Sequence, residues 1–226
     1  MAFRLLGFPV NIEGSFLLTL GFLGFISFDD RIDLIVAFVI IAVVAVLIHE
    51  FGHAFAARSQ GTVGTPQISL AGMAGLTRYR LAKPPSRGQS IFISFAGPLT
   101  GIVLGAIILA VRSAGVVEDT VFVRNLFNIG LFTTFGWSAF NLVPIVPLDG
   151  GHIMTDLLPG DPLERRRRAA WVSIAVAAVL APVLWFVTNL LFAPIILGAM
   201  AFQNWTSLKN LPAVQHPTTT PQDSAS

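Results

Sequence analysis

Between Leu34 and Ala57 the chain reads LIVAFVIIAVVAVLIHEFGHAFAA, an apolar run broken only by His49, Glu50 and His53 near its end. About 20 mostly apolar residues suffice to cross a bilayer as a helix. The stretch therefore predicts a membrane-spanning helix that carries ionisable groups inside it. Such groups are costly in hydrocarbon and mark function by default. The competing explanation is a helix end at which they reach the interface.

His49 and His53 lie four residues apart, so on a helix they share one face. Two imidazoles so spaced can grip one zinc ion. Glu50 is then positioned to act as general base toward an attacking water. Zinc needs at least one more protein ligand and an open position. The chain has no cysteine, so that ligand must be His, Asp or Glu.

Composition agrees with a membrane setting. Hydrophobic residues make up 54% and charged residues 12% of 226 residues, and mean hydropathy is +0.75. Soluble domains carry about 25% charged residues, so a soluble metalloprotease is excluded. The 20 glycines suit close helix packing in lipid. A pI of 9.7 invites a nucleic-acid partner, but Arg165 to Arg168 directly precede an apolar span. They read as an anchor facing anionic lipid, and no nucleic-acid binding is expected.

The predicted fold is an all-α membrane protein with about six transmembrane helices. These cover about Ser15 to Phe28, Leu34 to Ala57, Gln89 to Val111 and Val121 to Val143, with two more between Ala169 and Trp205. That last stretch is too long for one crossing, and a tight turn is expected near Thr188 and Asn189. Met1 to Phe28 lacks a basic leader and a small-residue cleavage site, and reads as a retained helix. Gly64 to Arg80 alternates strand-compatible runs with glycines, the pattern of a small re-entrant β-hairpin or loop. Residues 1–210 are expected to form a single transmembrane domain with its core at about 34–153. The Pro-, Thr- and Ser-rich tail, 211–226, is expected to be disordered. His216 in that tail reads as non-functional.

With six spans, eleven of the 14 Lys and Arg fall on the side of the two termini, from Arg4 to Lys209. Arg31, Arg112 and Arg124 fall opposite. Both termini are therefore expected in the cytoplasm of a multi-pass plasma-membrane protein.

A second constellation spans Asn141 to His152, NLVPIVPLDGGH. Pro144 and Pro147 break a helix, and Gly150 and Gly151 permit sharp turning. The unwound stretch can aim Asp149 into the bundle as the third zinc ligand. Asp149 could instead cap the next short helix. His152 reads as a neighbouring polar residue or a partner of the site.

The HEFGH motif together with Asn-x-x-Pro-x-x-x-Leu-Asp-Gly at Asn141 to Gly150 resembles the site-2 protease family of intramembrane zinc metalloproteases. The resemblance runs from about Leu34 to Ile153. It implies zinc bound by His49, His53 and Asp149, Glu50 activating water, and Asn141 steadying the developing oxyanion. Ala96-Gly97-Pro98 is similar to the family's Gly-Pro feature, while Gly101 stands where many members carry Asn. The chain looks like a minimal form without PDZ or CBS domain. The implied activity is hydrolysis of a peptide bond in or near the transmembrane segment of a membrane-anchored protein, such as an anti-sigma factor. The rival reading is a membrane zinc transporter or zinc-binding protein without hydrolysis. Oligomeric state is not legible.

Overall fold

The computed structural model describes residues 1–188 and 192–212. Two compact units divide the chain, Met1–Leu157 and Leu158–Ser226.

The first unit opens with two strands, β1 (Ala2–Leu5) and β2 (Phe8–Ile12). They pair antiparallel around Leu6 and Gly7, both with positive φ (51° and 84°). That backbone twist matches paired strands. Helix α1 (Gly14–Phe28) and helix α2 (Ile32–Ser59) follow, and then the hairpin β3 (Gln67–Ala71) and β4 (Ala74–Arg78). β2 pairs parallel with β3, Val10 opposite Ile68, so the sheet runs β1-β2-β3-β4. The α1–α2 pair forms the crossover that a parallel pairing requires. Pro9 opposes Arg4 of β1, and the ladder to β3 begins only at Val10, so no hydrogen bond to β3 is lost.

This corrects two sequence expectations. The retained N-terminal helix begins only at Gly14, and Met1 to Ile12 forms a hairpin. The small β element is a four-stranded sheet, so the unit is not all-α. Alternate residues Phe8, Val10, Ile68 and Leu70 are buried on one sheet face. Phe8 meets Phe51 and Phe55 of α2 at ring separations of 6.0 and 4.9 Å. Burial of that face fixes the strand register, because a one-residue slip would turn it outward.

α2 buries Phe38, Ala42, Ala45 and Val46 and exposes Val36, Ile40 and Val44 at four-residue spacing. An apolar exposed stripe of that kind suits lipid. Helix α3 (Arg87–Ser113) starts at a capping box between Ser86 and Gln89. Gln89 also reaches the Gln60 side chain at 3.0 Å, joining the end of α2 to the start of α3. At mid-height Gly52 of α2 lies against the Ala96 carbonyl and Thr100 hydroxyl. Thr100 Oγ1 lies 2.7 Å from the Gly97 carbonyl and 3.1 Å from that of Ile48 on α2.

Helix α4 (Val121–Leu131) passes through a π-helical stretch, Phe132–Gly136, into α5 (Trp137–Asn141). The hydroxyls of Thr133 and Thr134 donate to the carbonyls of Ile129 and Gly130 at 2.9 and 2.7 Å, satisfying groups in the widened turn. Gly101 and Gly105 of α3 leave room there for Ser138 and Thr134. The helix ends at Asn141, two residues before the expected Val143. A short helix follows, α6 (Asp149–Leu157), beginning at Asp149, and it ends the unit.

The second unit pairs α7 (Pro162–Thr188) with α8 (Phe192–Asn210). Asp161 Oδ1 accepts from the backbone N–H of Leu163 and Glu164 at 2.8 and 2.9 Å, capping α7. Trp171 and Trp205 meet edge to face at 6.0 Å, and Lys209 sits 5.2 Å over Trp205. The turn expected at Thr188 and Asn189 falls at the end of α7 and on residues outside those described. So does most of the expected tail, including His216. Among the described residues, three helices are long and apolar enough to cross a membrane: Ile32–Ser59, Arg87–Ser113 and Pro162–Val187. At 15 residues, α1 reaches about 22 Å, short of a bilayer core of about 30 Å.

Candidate metal centre

α2 carries His49, Glu50 and His53 over its last three turns, all buried, at 3%, 5% and 8% exposure. Across from them α6 begins at Asp149, whose side chain is 16% exposed. The three predicted ligand groups converge. His49 Nε2 lies 3.1 Å from His53 Nε2 and 3.1 Å from Asp149 Oδ2, and His53 Nε2 lies 3.3 Å from the same oxygen. A tetrahedral zinc with bonds of about 2.0–2.1 Å spaces its ligand atoms about 3.3 Å apart. The triangle of two imidazole nitrogens and a carboxylate oxygen therefore fits zinc in size and in donor type.

The tautomer of His53 follows from its partner. His53 Nδ1–H donates to the Ile93 carbonyl at 2.7 Å. A carbonyl only accepts, so Nδ1 carries the proton and neutral His53 turns a lone pair at Nε2 toward the triangle. His49 Nδ1 is buried with no hydrogen-bond partner among the described residues. Gly97 of α3 makes room for His53, since a Cβ there would overlap the imidazole Nε2.

Asp149 owes its position to the two glycines after it. Neither has a positive φ, and both lie inside α6, not in a sharp turn as the sequence suggested. A Cβ on Gly150 would overlap the backbone carbonyl of Leu142, and one on Gly151 the backbone at Ile145 and Val146. Their function is close approach. Bare backbone lets the start of α6 settle onto the proline-broken stretch after α5, which points Asp149 at α2.

Glu50 faces β4. Thr77 Oγ1 lies 2.7 Å from Glu50 Oε2 and 3.1 Å from the Glu50 carbonyl. Gly75, two residues earlier on the same strand face, sits so close to the Glu50 carboxylate that a Cβ there would overlap Oε1. Sequence reasoning assigned neither residue a role. Strand alternation puts them on one face, but nothing local says that this face meets Glu50. Tyr79 lies just beyond β4. Partial burial pushes its phenol pKa up, and the nearby carboxylates of Asp156 and Asp149 add to the shift.

Asn141 ends α5 with its amide donating back to the Trp137 carbonyl at 3.0 Å. His152 is exposed on α6.

The family model described as Peptidase family M50 matches residues 37–182. The chain is 29% identical over 161 residues to "Zinc metalloprotease MJ0392" of Methanocaldococcus jannaschii, a match covering 69% of this chain and 44% of that protein. It is 32% identical over 142 residues to "Putative zinc metalloprotease Rip3" of Mycobacterium tuberculosis, covering 60% and 35%. The chain thus spans less than half the length of these curated relatives. The solved structure of the site-2 protease from Methanocaldococcus jannaschii matches with a TM-score of 0.62 at 20% identity, over 97% of this chain and 99% of that one. At that identity the likeness is one of fold.

Proposed function

This chain belongs to peptidase family M50, the site-2 protease family, and from that premise we propose that it is an intramembrane zinc metalloprotease. It hydrolyses a peptide bond in or near the transmembrane segment of another membrane protein. The observation that carries the proposal is the triangle of His49, His53 and Asp149, with ligand atoms 3.1 to 3.3 Å apart and Glu50 adjoining it on α2.

His49, His53 and Asp149 would hold the metal, in agreement with the zinc metalloproteases that the chain resembles. Zinc bound there supplies Lewis acidity to the scissile carbonyl and its attacking water. Glu50 takes the proton from that water and returns it to the leaving amine. Asn141 offers an amide to the developing oxyanion once it swings away from the Trp137 carbonyl. A helical substrate must first unwind, because its backbone is committed to its own hydrogen bonds. β4 borders the sheet on one side, and an extended segment adding to that edge would lie beside Glu50.

In this reading residues 1–210 form one transmembrane protease domain with a core near 34–153. The family match over 37–182 supports it, since that match runs across the boundary between the compact units. Six crossings rest on the apolar segments of the sequence, and cytoplasmic termini and a plasma-membrane location on the charge asymmetry between the two sides. The substrate class is a membrane-anchored regulator of the anti-sigma type. The tail 211–226 is left without a role.

Reconstitution with a panel of transmembrane segments tests the proposal, comparing wild type with Glu50→Gln and measuring zinc in both. Wild type is expected to cleave at least one segment. Glu50→Gln is expected to cleave none while holding equal zinc. A wild type that holds zinc and cleaves none overturns hydrolysis and leaves the transporter reading, which zinc uptake into sealed vesicles then decides.

A further inference from the structure

β4 contributes to the site in a way that the metal ligands do not. Its residues alternate between exposed Ala74, Leu76 and Arg78 and half-buried Gly75 and Thr77. The half-buried pair is the face turned to α2, and both of its members touch Glu50. Thr77 Oγ1 stands 2.7 Å from the carboxylate oxygen and 3.1 Å from the Glu50 carbonyl. A hydroxyl has one proton to give. The shorter distance and the charge on a carboxylate both favour donation to Oε2. Gly75 lies on the other side, where a Cβ would overlap Oε1 and force the carboxylate to shift.

We infer that Thr77 is a positioning residue for Glu50. Its hydroxyl fixes the carboxylate rotamer that can take a proton from the attacking water, with Gly75 as the surface the carboxylate rests on. The inference rests on the hydrolase reading of the site. Unheld, a Glu side chain has three rotatable bonds to the carboxylate. Thr77 touches neither His49, His53 nor Asp149 through any hydrogen bond, so zinc binding is independent of it. Among the described residues β4 is paired on one side only, with β3. Its backbone edge and its Thr77 side chain are thus parts of one strand, and the strand that would receive an extended substrate also aims the base.

The test uses the full chain with Thr77→Val, which keeps the β-branched shape and strand preference and removes the hydroxyl, and with Thr77→Ser, which restores the hydroxyl. Zinc content, kcat and KM for a cleaved membrane segment, and the affinity of acetohydroxamate are measured. A hydroxamate that chelates the metal gives its proton to a nearby base, so its binding reports the Glu50 carboxylate without turnover. Thr77→Val is expected to hold zinc as wild type does. Its kcat should fall about tenfold or more, part of the hundredfold or greater contribution of a general base, with KM within about twofold. Its acetohydroxamate affinity should fall about tenfold or more, in the range of one hydrogen bond to a charged group. Thr77→Ser should recover most of both losses. Wild-type kcat and hydroxamate affinity in Thr77→Val, or equal losses in Thr77→Ser, would overturn the inference. A wild type that binds zinc and cleaves nothing overturns the hydrolase reading instead, and the hydroxamate comparison still decides Thr77.

Discussion

Gly97 of α3 lies flush against the imidazole of His53, and a single added carbon would overlap Nε2, the atom turned toward the metal triangle. Gly97→Ala should therefore weaken zinc binding by about 10- to 100-fold, the range for losing a supporting contact of a ligand. Alanine is the better helix former by about 1 kcal/mol, so a weakened α3 would not explain the loss. Competition with a chelator of known affinity measures it, and unchanged zinc affinity would show that His53 has room to move.

Asp149 is both the start of α6 and a corner of the triangle, and one substitution separates these roles. Asparagine has nearly the same shape and a similar helix propensity but brings no charge to a metal. Asp149→Asn should keep the thermal stability of the apoprotein and lose zinc at stoichiometric concentration. If starting α6 were its whole contribution, zinc content would match wild type.

A methyl at Gly150 has only backbone to displace, the carbonyls of Leu142 and Val143. Gly150→Ala should cost about 1–3 kcal/mol, as overpacking does, seen as a lower unfolding temperature in detergent. Zinc affinity should fall with it, because α6 carries Asp149. A variant with normal stability and normal zinc would mean that α6 can retreat without moving Asp149.

Gly75→Ala acts on the base and spares the ligands. Its methyl meets the Glu50 carboxylate, so cleavage should drop about tenfold or more at full zinc occupancy. Loss of zinc in this variant would mean that the displaced Glu50 drags His49 or His53 with it.

Asn141→Ala discriminates between two uses of one amide. As an oxyanion donor, Asn141 is worth about 100- to 1000-fold in kcat. As a donor to the Trp137 carbonyl alone, it contributes only to the end of α5, and kcat should stay within about threefold. Single-turnover cleavage rates distinguish the two.

Local spacing made part of this site readable. His49 and His53 share a helix face whatever surrounds them, and two prolines three residues apart after Asn141 disfavour a continuing helix. What escaped was set by distant contacts. Gly150 and Gly151 looked like a turn because glycine is poor in helices; the close approach to the Leu142 and Ile145 backbone overrides that preference. β2 was hidden although Phe8, Val10 and Ile12 alternate, because its partner Ile68 comes far later in the chain and after two helices. Thr77 and Gly75 lay inside the segment expected to be a hairpin. Which face that hairpin shows to α2 depends on the sheet, and the sheet depends on residues 2–12.

The parallel register of Val10 with Ile68 acts as a clamp on sidedness. The chain leaves the sheet at Ile12, travels out through α1, comes back through α2 and re-enters the same sheet at Gln67. Departure and return are therefore on one face, whatever the number of later crossings. An impermeant label that modifies a cysteine at position 6 must reach one at position 64 from the same compartment. The ordering also constrains biosynthesis: the first strands leave the ribosome early, but β2 has no parallel partner until both helices have been laid down. The scaffold behind Glu50 closes only after both helices have been made, so a chain stalled before residue 67 carries His49, Glu50 and His53 without the strand that Glu50 rests against.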